Sequence, residues 1–164
     1  MNKGIQLFGD KVDVAVQKEL KQIHELETYE PMIASNLSWE DNKKALGSLL
    51  FITDKRNGDI KARKVVEGSK QRTYYGYEKS DVSSPTVKTD NMFLTGLIDA
   101  HEGKVVAILD IANAFLQAHK NDRVIILLWG KLSEMMVRID PCLYCKYVTY
   151  SAKGVPMLYV RLYK

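Results

Sequence analysis

Cysteine, histidine and proline are scarce in this chain, at two, three and four residues among 164. The two cysteines, Cys142 and Cys145, form a single C-x-x-C with no second pair. The nearest histidine, His119, lies far upstream, so four zinc ligands cannot be assembled locally. A redox dithiol would open a helix after a strand, which Leu143-Tyr144-Cys145-Lys146-Tyr147 does not suggest. Two reduced, structural thiols are expected instead. No apolar run approaches the ~20 residues needed to span a bilayer, and Met1-Asn2-Lys3-Gly4-Ile5-Gln6 carries no signal-peptide core. These absences point to an intracellular protein, cytoplasmic or nuclear, with no membrane partner. Internal repeats, low-complexity tracts, linkers and any adjacent Asp-Asp pair are also missing.

What is present fits a soluble globular protein with a real core: 46% hydrophobic and 27% charged residues. The net charge is only +4, but it is unevenly placed. Between Lys55 and Arg72 there are seven cations (Lys55, Arg56, Lys61, Arg63, Lys64, Lys70, Arg72) against Asp59 and Glu67. Positive charge concentrated on one element suggests phosphate contact.

Asp10 can cap a first helix in which Val12, Val16, Leu20 and Ile23 line one face as core packing, with Tyr29-Glu30-Pro31 ending it. Ser38 is the expected N-cap of a second, short helix with acids in its first turn, ending near Gly47. Ser48–Thr53 and Ile60–Val66 flank Asn57-Gly58, a strong hairpin signal. In the second strand Ile60, Ala62, Lys64 and Val66 share one side, and Lys61, Arg63 and Val65 the other. Lys61 and Arg63 can therefore grip one phosphate together; alternatively, they guard a solvated edge strand against aggregation. Tyr74, Tyr75 and Tyr77 interleave with Gly76 and read as packing or as a base-stacking cluster. Ser84 followed by Pro85 is a sound helix start, Met92, Phe93, Leu97 and Ile98 give that helix an apolar face, and Gly103 ends it. Val124–Leu128 reads as a buried strand, and Leu132–Ile139 as a helix stopped by Asp140-Pro141. Tyr144–Tyr150 and Met157–Leu162 read as a hairpin across Ser151-Ala152-Lys153-Gly154.

The unbroken apolar run Val105-Val106-Ala107-Ile108-Leu109, rich in β-branched residues, predicts a strand buried on both faces. Asp110 closes it. Such an acid either caps the following turn or serves as a hard carboxylate ligand for a divalent metal.

Several of these segments together resemble the reverse transcriptases of copia-type retrotransposons. Asp110-Ile111-x-x-Ala114-Phe115-Leu116 is similar to the first metal-binding motif of that family. Lys61-Ala62-Arg63-x-Val65-x-x-Gly68-x-x-Gln71 is similar to its K-A-R-x-V-x-x-G-x-x-Q fingers segment, and Ser84-Pro85-Thr86-Val87 to its S-P-T-V. The resemblance implies an α+β fold, part of a right-hand polymerase. Residues 1–90 would be fingers-like, with the basic hairpin at about 48–72, and 91–164 would be the first part of the palm. It implies an RNA-directed DNA polymerase using Mg2+, an RNA or DNA template-primer and deoxynucleoside triphosphates. Asp110 would be the catalytic metal ligand, and Ile111 and Ala112 would supply backbone contacts at the metal and triphosphate. Lys61 and Arg63 would hold the triphosphate, and Phe115 would exclude a ribose 2′-hydroxyl. Lys64 stands where the family often has an apolar residue. The family's other two carboxylates come from a Y-V-D-D hairpin farther along, which this sequence lacks. The expectation is therefore a fragment, decayed or partial, that is inactive alone. A non-catalytic nucleic-acid-binding module and an inert relic are the competing readings.

Overall fold

The computed structural model describes residues 10–70, 86–111, 114 and 123–163. The first helix, α1 (Asp10–Glu25), forms as its spacing predicts: Val12, Val16, Leu20 and Ile23 are buried along one stripe. Tyr29-Glu30-Pro31 does not merely end the helix, because Tyr29–Met32 is a strand, β1. Pro31 is tolerated there because β1 lies at the edge of the sheet. A short helix, α2 (Trp39–Lys44), starts at a reciprocal cap in which the Ser38 hydroxyl accepts from Asp41 N and the Asp41 carboxylate accepts from Ser38 N. It stops short of Gly47 because Leu46 already pairs in the next strand.

The hairpin strands are β2 (Leu46–Asp54) and β3 (Ile60–Val66), paired from Ser48–Val66 to Asp54–Ile60. After them come α3 (Thr89–His101), β4 (Val124–Trp129), α4 (Lys131–Ile139), the single turn α5 (Pro141–Tyr144), β5 (Val148–Tyr150) and β6 (Pro156–Leu162). The expected last hairpin thus begins later than Tyr144, since Tyr144–Tyr147 is helical. Asp140 caps α5, its carboxylate accepting from Leu143 N, with Pro141 at the first helical position.

One mixed six-stranded sheet runs β1-β6-β4-β2-β3, with β5 paired to β6. Every pairing is antiparallel except β2 with β4, which is parallel over Leu46–Ile126 and Gly47–Leu127. The molecule is therefore α+β. The core lies between one face of this sheet and the helices α1 and α4, and it contains Leu46, Val124, Ile126, Leu128, Leu158 and Val160 against Leu20, Met135 and Met136. Lys131 of α4 reaches Asp13 of α1 at 2.7 Å, and His24 Nδ1 meets the buried Tyr144 hydroxyl at 3.0 Å.

One expectation fails in the middle of the chain. Val105–Leu109 is not a buried strand; it is outside any helix or strand and exposed, with Val105 and Ile108 at 98% and 95% exposure. Its composition favours a strand, but a strand also needs a neighbour to satisfy its backbone, and none lies beside it among the described residues. The apolar residues of α3, Met92, Phe93, Leu97 and Ile98, are likewise exposed, so the stripe packs on no described element. Ser84 and Pro85 lie outside the described residues; Lys88 holds the cap position of α3 without a side-chain bond.

Candidate nucleic-acid interface

The turn that joins β2 to β3 is built from Asn57-Gly58. Gly58 has φ +78°, a left-handed conformation that suits glycine. Lys55 N donates to Asp59 O at 2.9 Å and Gly58 N to Lys55 O at 2.8 Å. The Asn57 side chain holds Asp59 through two bonds, donating to its carboxylate at 2.7 Å and accepting from its backbone N–H at 3.2 Å. At the other end Glu67 N donates to Gly47 O at 2.8 Å. Both ends of the ribbon are thereby fixed.

Within β3 the period-two pattern separates two kinds of cation. Lys61 and Arg63 are exposed, opposite Thr53 and Phe51 respectively, and Phe51 is itself 55% exposed. Neither charged end has a salt bridge or hydrogen bond among the described residues. Two cations on one face with no described counter-ion, beside an exposed aromatic ring, suit a phosphate-bearing strand.

Lys64 faces the other way and is 9% exposed. Its Nζ donates to the Tyr29 hydroxyl and lies 4.2 Å from that ring's centroid, while its backbone N–H donates to Glu19 at 3.1 Å. Burial lowers the Lys64 pKa from its ordinary 10.5 to about 7, opposed by the nearby Glu19 carboxylate. Burial also raises the Tyr29 phenol, helped by Glu19 and Tyr144. Lys64 therefore ties β3 to β1 and α1 and is not part of the exposed cationic face.

Asp110 and Ile111 are both exposed and outside any helix or strand, far along the chain from the hairpin. Ala112 and Phe115 lie outside the described residues, as do Tyr74, Tyr75 and Tyr77. Among the described residues no three His, Cys, Asp or Glu side chains converge on a point that could hold a metal. One carboxylate offers at most two oxygens, so Asp110 with its described surroundings does not form a complete magnesium site. Cys142 and Cys145 are free and exposed rather than structural. No described helix is long and apolar enough to cross a membrane.

Sequence reasoning overlooked two arginines, Arg123 and Arg161. They meet across a cavity on the β1 edge of the sheet, and no local motif announces them. Their proximity depends on the β1–β6–β4 pairing.

Fold and surface together define an α+β protein with a mixed sheet and a cationic edge hairpin. No family model, curated protein or solved structure matches the chain.

Proposed function

We propose that this chain is a segment of a copia-type reverse transcriptase, comprising the fingers hairpin and the first part of the palm. The observation that carries the reading is the pair Lys61 and Arg63, exposed on one face of β3 with no ion-pair partner among the described residues, in the K-A-R context that the family uses on the triphosphate. In the complete enzyme Asp110 would be one of three carboxylates that hold magnesium, which would supply charge stabilisation for nucleotidyl transfer. Ile111 and Ala112 make backbone contacts at the triphosphate, and Phe115 sits under the sugar. The exposed run Val105–Leu109 then becomes a strand once neighbours such as the Y-V-D-D hairpin lie beside it. With one of three carboxylates, the chain by itself does not polymerise DNA; it binds nucleic acid through the hairpin.

A second reading, a nucleic-acid-binding module without catalysis, draws on the solitary Asp110. Both readings require phosphate contact by the hairpin, and salt dependence tests that contact. Affinity for an oligonucleotide falls as salt rises, and in the Lys61→Ala/Arg63→Ala variant the slope d log K/d log[salt] becomes shallower by ~1.4–1.8. An unchanged slope makes the hairpin a solvated edge and removes the support for either reading.

A further inference from the structure

At the sheet edge opposite the basic hairpin, a cavity of about 590 Å3 is lined by Arg123, Arg161, Asn36, Tyr147, Glu30 and Met32, among others. Arg161 lies on β6, in register with Glu30 of β1 on one side and Ile125 of β4 on the other. It alternates with the buried Val160, so it points away from the helices. Arg123 directly precedes β4, and Tyr147 ends the helical turn that leads into β5. The Lys146 ammonium lies 5.1 Å from the Tyr147 ring centroid, which adds a third cation beside the cavity.

The two guanidinium groups have few described acceptors. A guanidinium carries five N–H groups, yet Arg123 has one described partner, Asp41 at 3.1 Å. Arg161 reaches Glu30 only at 3.5 Å. The Nε of Arg161 is buried and has no acceptor among the described residues. A charged N–H removed from water without a partner is costly and calls for an acceptor beyond the described residues. Guanidinium forks match tetrahedral oxyanions bidentately, and two of them beside an amide and a phenol match one group with several acceptor oxygens.

We infer that the cavity between Arg123 and Arg161 is a phosphate-binding site, separate from the hairpin. The phosphate comes either from the backbone of a nucleic-acid strand or from a free phosphate species. The site does not depend on Lys61, Arg63 or Asp110, so it stands or falls independently of the polymerase reading.

Nitrogen-edited NMR of the full chain observes the arginine Nε–H groups directly, with inorganic phosphate and a short oligothymidylate as the two probes. The Arg161 Nε–H and the Tyr147 amide shift saturably with at least one probe. Lys61→Ala/Arg63→Ala leaves those shifts in place, whereas Arg161→Gln abolishes the Tyr147 shift. Arg123→Gln, at a side chain already 54% exposed and so tolerant of change, weakens binding by about tenfold. Saturation by the oligonucleotide at much lower concentration than by inorganic phosphate supports the site and assigns it to a nucleic-acid strand. Equal saturation supports it as a free-phosphate site. An Arg161 Nε–H that neither probe moves overturns the proposal, as does a Tyr147 shift undiminished in both Arg123→Gln and Arg161→Gln.

Discussion

Lys64 shows how one side chain can oppose the pattern around it. It occupies the inward register of β3, next to Ala62, and its amine sits against Tyr29 with Glu19 at its backbone. Between pH 7 and 10.5 the folded amine is neutral while the unfolded one is charged, so the unfolded state binds the extra proton. Stability from this group is therefore complete above about pH 10.5 and is lost as pH falls to about 7, with a slope of about 1.4 kcal/mol per unit. The Tyr29 phenol has the opposite sign: its raised pKa costs stability as pH climbs past its ordinary value of 10. Replacing the pair by Lys64→Leu/Tyr29→Phe removes both terms. Urea titrations of wild type and variant should give a stability difference that changes by about 3 kcal/mol between pH 7 and 9.5, with the variant favoured at the lower pH. A difference independent of pH means that Lys64 reaches solvent. The alternation of β3 already placed Lys64 on the same side as Ile60, Ala62 and Val66. What it could not show was the phenol that receives it, which arrives from a strand 35 residues away.

Elements with a local cause were legible in the sequence. The stripe of α1 is a spacing along one helix, the Ser38 cap is a contact within one turn, and Asn57-Gly58 sets its hairpin without help from the rest of the chain. The hairpin turn makes a prediction of its own. Gly58→Ala forces a Cβ into a left-handed conformation and should lower stability by ~1–2 kcal/mol in urea unfolding. Its added Cβ meets no atom within 4 Å, so steric contact cannot account for the loss. A wild-type midpoint in Gly58→Ala would show that the turn relaxes. Elements whose cause is distant were not legible. Tyr29-Glu30-Pro31 reads as a helix terminator because its partner, β6, lies some 130 residues downstream in register with it. Val105–Leu109 fails for the complementary reason: its composition is that of a strand, but no described neighbour completes it.

On the scale of the whole molecule, one sheet collects strands from both ends of the chain and presents two cationic sites, Lys61 and Arg63 on the edge strand β3 and Arg123 and Arg161 beside the cavity next to β1. The α+β class was expected from the resemblance, and the mixed sheet with its helices bears out that class. The strand order was not foreseen, because the parallel contact of β2 with β4 joins residues about 80 apart through only two pairs. The proposed metal site belongs to this scale as well, since Asp110 alone cannot bind a hard cation that needs six oxygens. The chain alone is expected to incorporate no nucleotide, and activity to depend on joining it to the rest of a palm. Phe115→Val in such a fusion should keep much deoxynucleotide incorporation while admitting ribonucleotides, because a steric gate acts by exclusion. The most direct measurement is template-directed DNA synthesis with magnesium by this chain fused to a Y-V-D-D-bearing C-terminal segment of a copia-type enzyme, with and without Asp110→Asn. The fusion is expected to synthesise DNA and Asp110→Asn to abolish synthesis, since an amide cannot replace the anionic ligand. Undiminished synthesis in Asp110→Asn, or none from a correctly folded fusion, would contradict the polymerase reading.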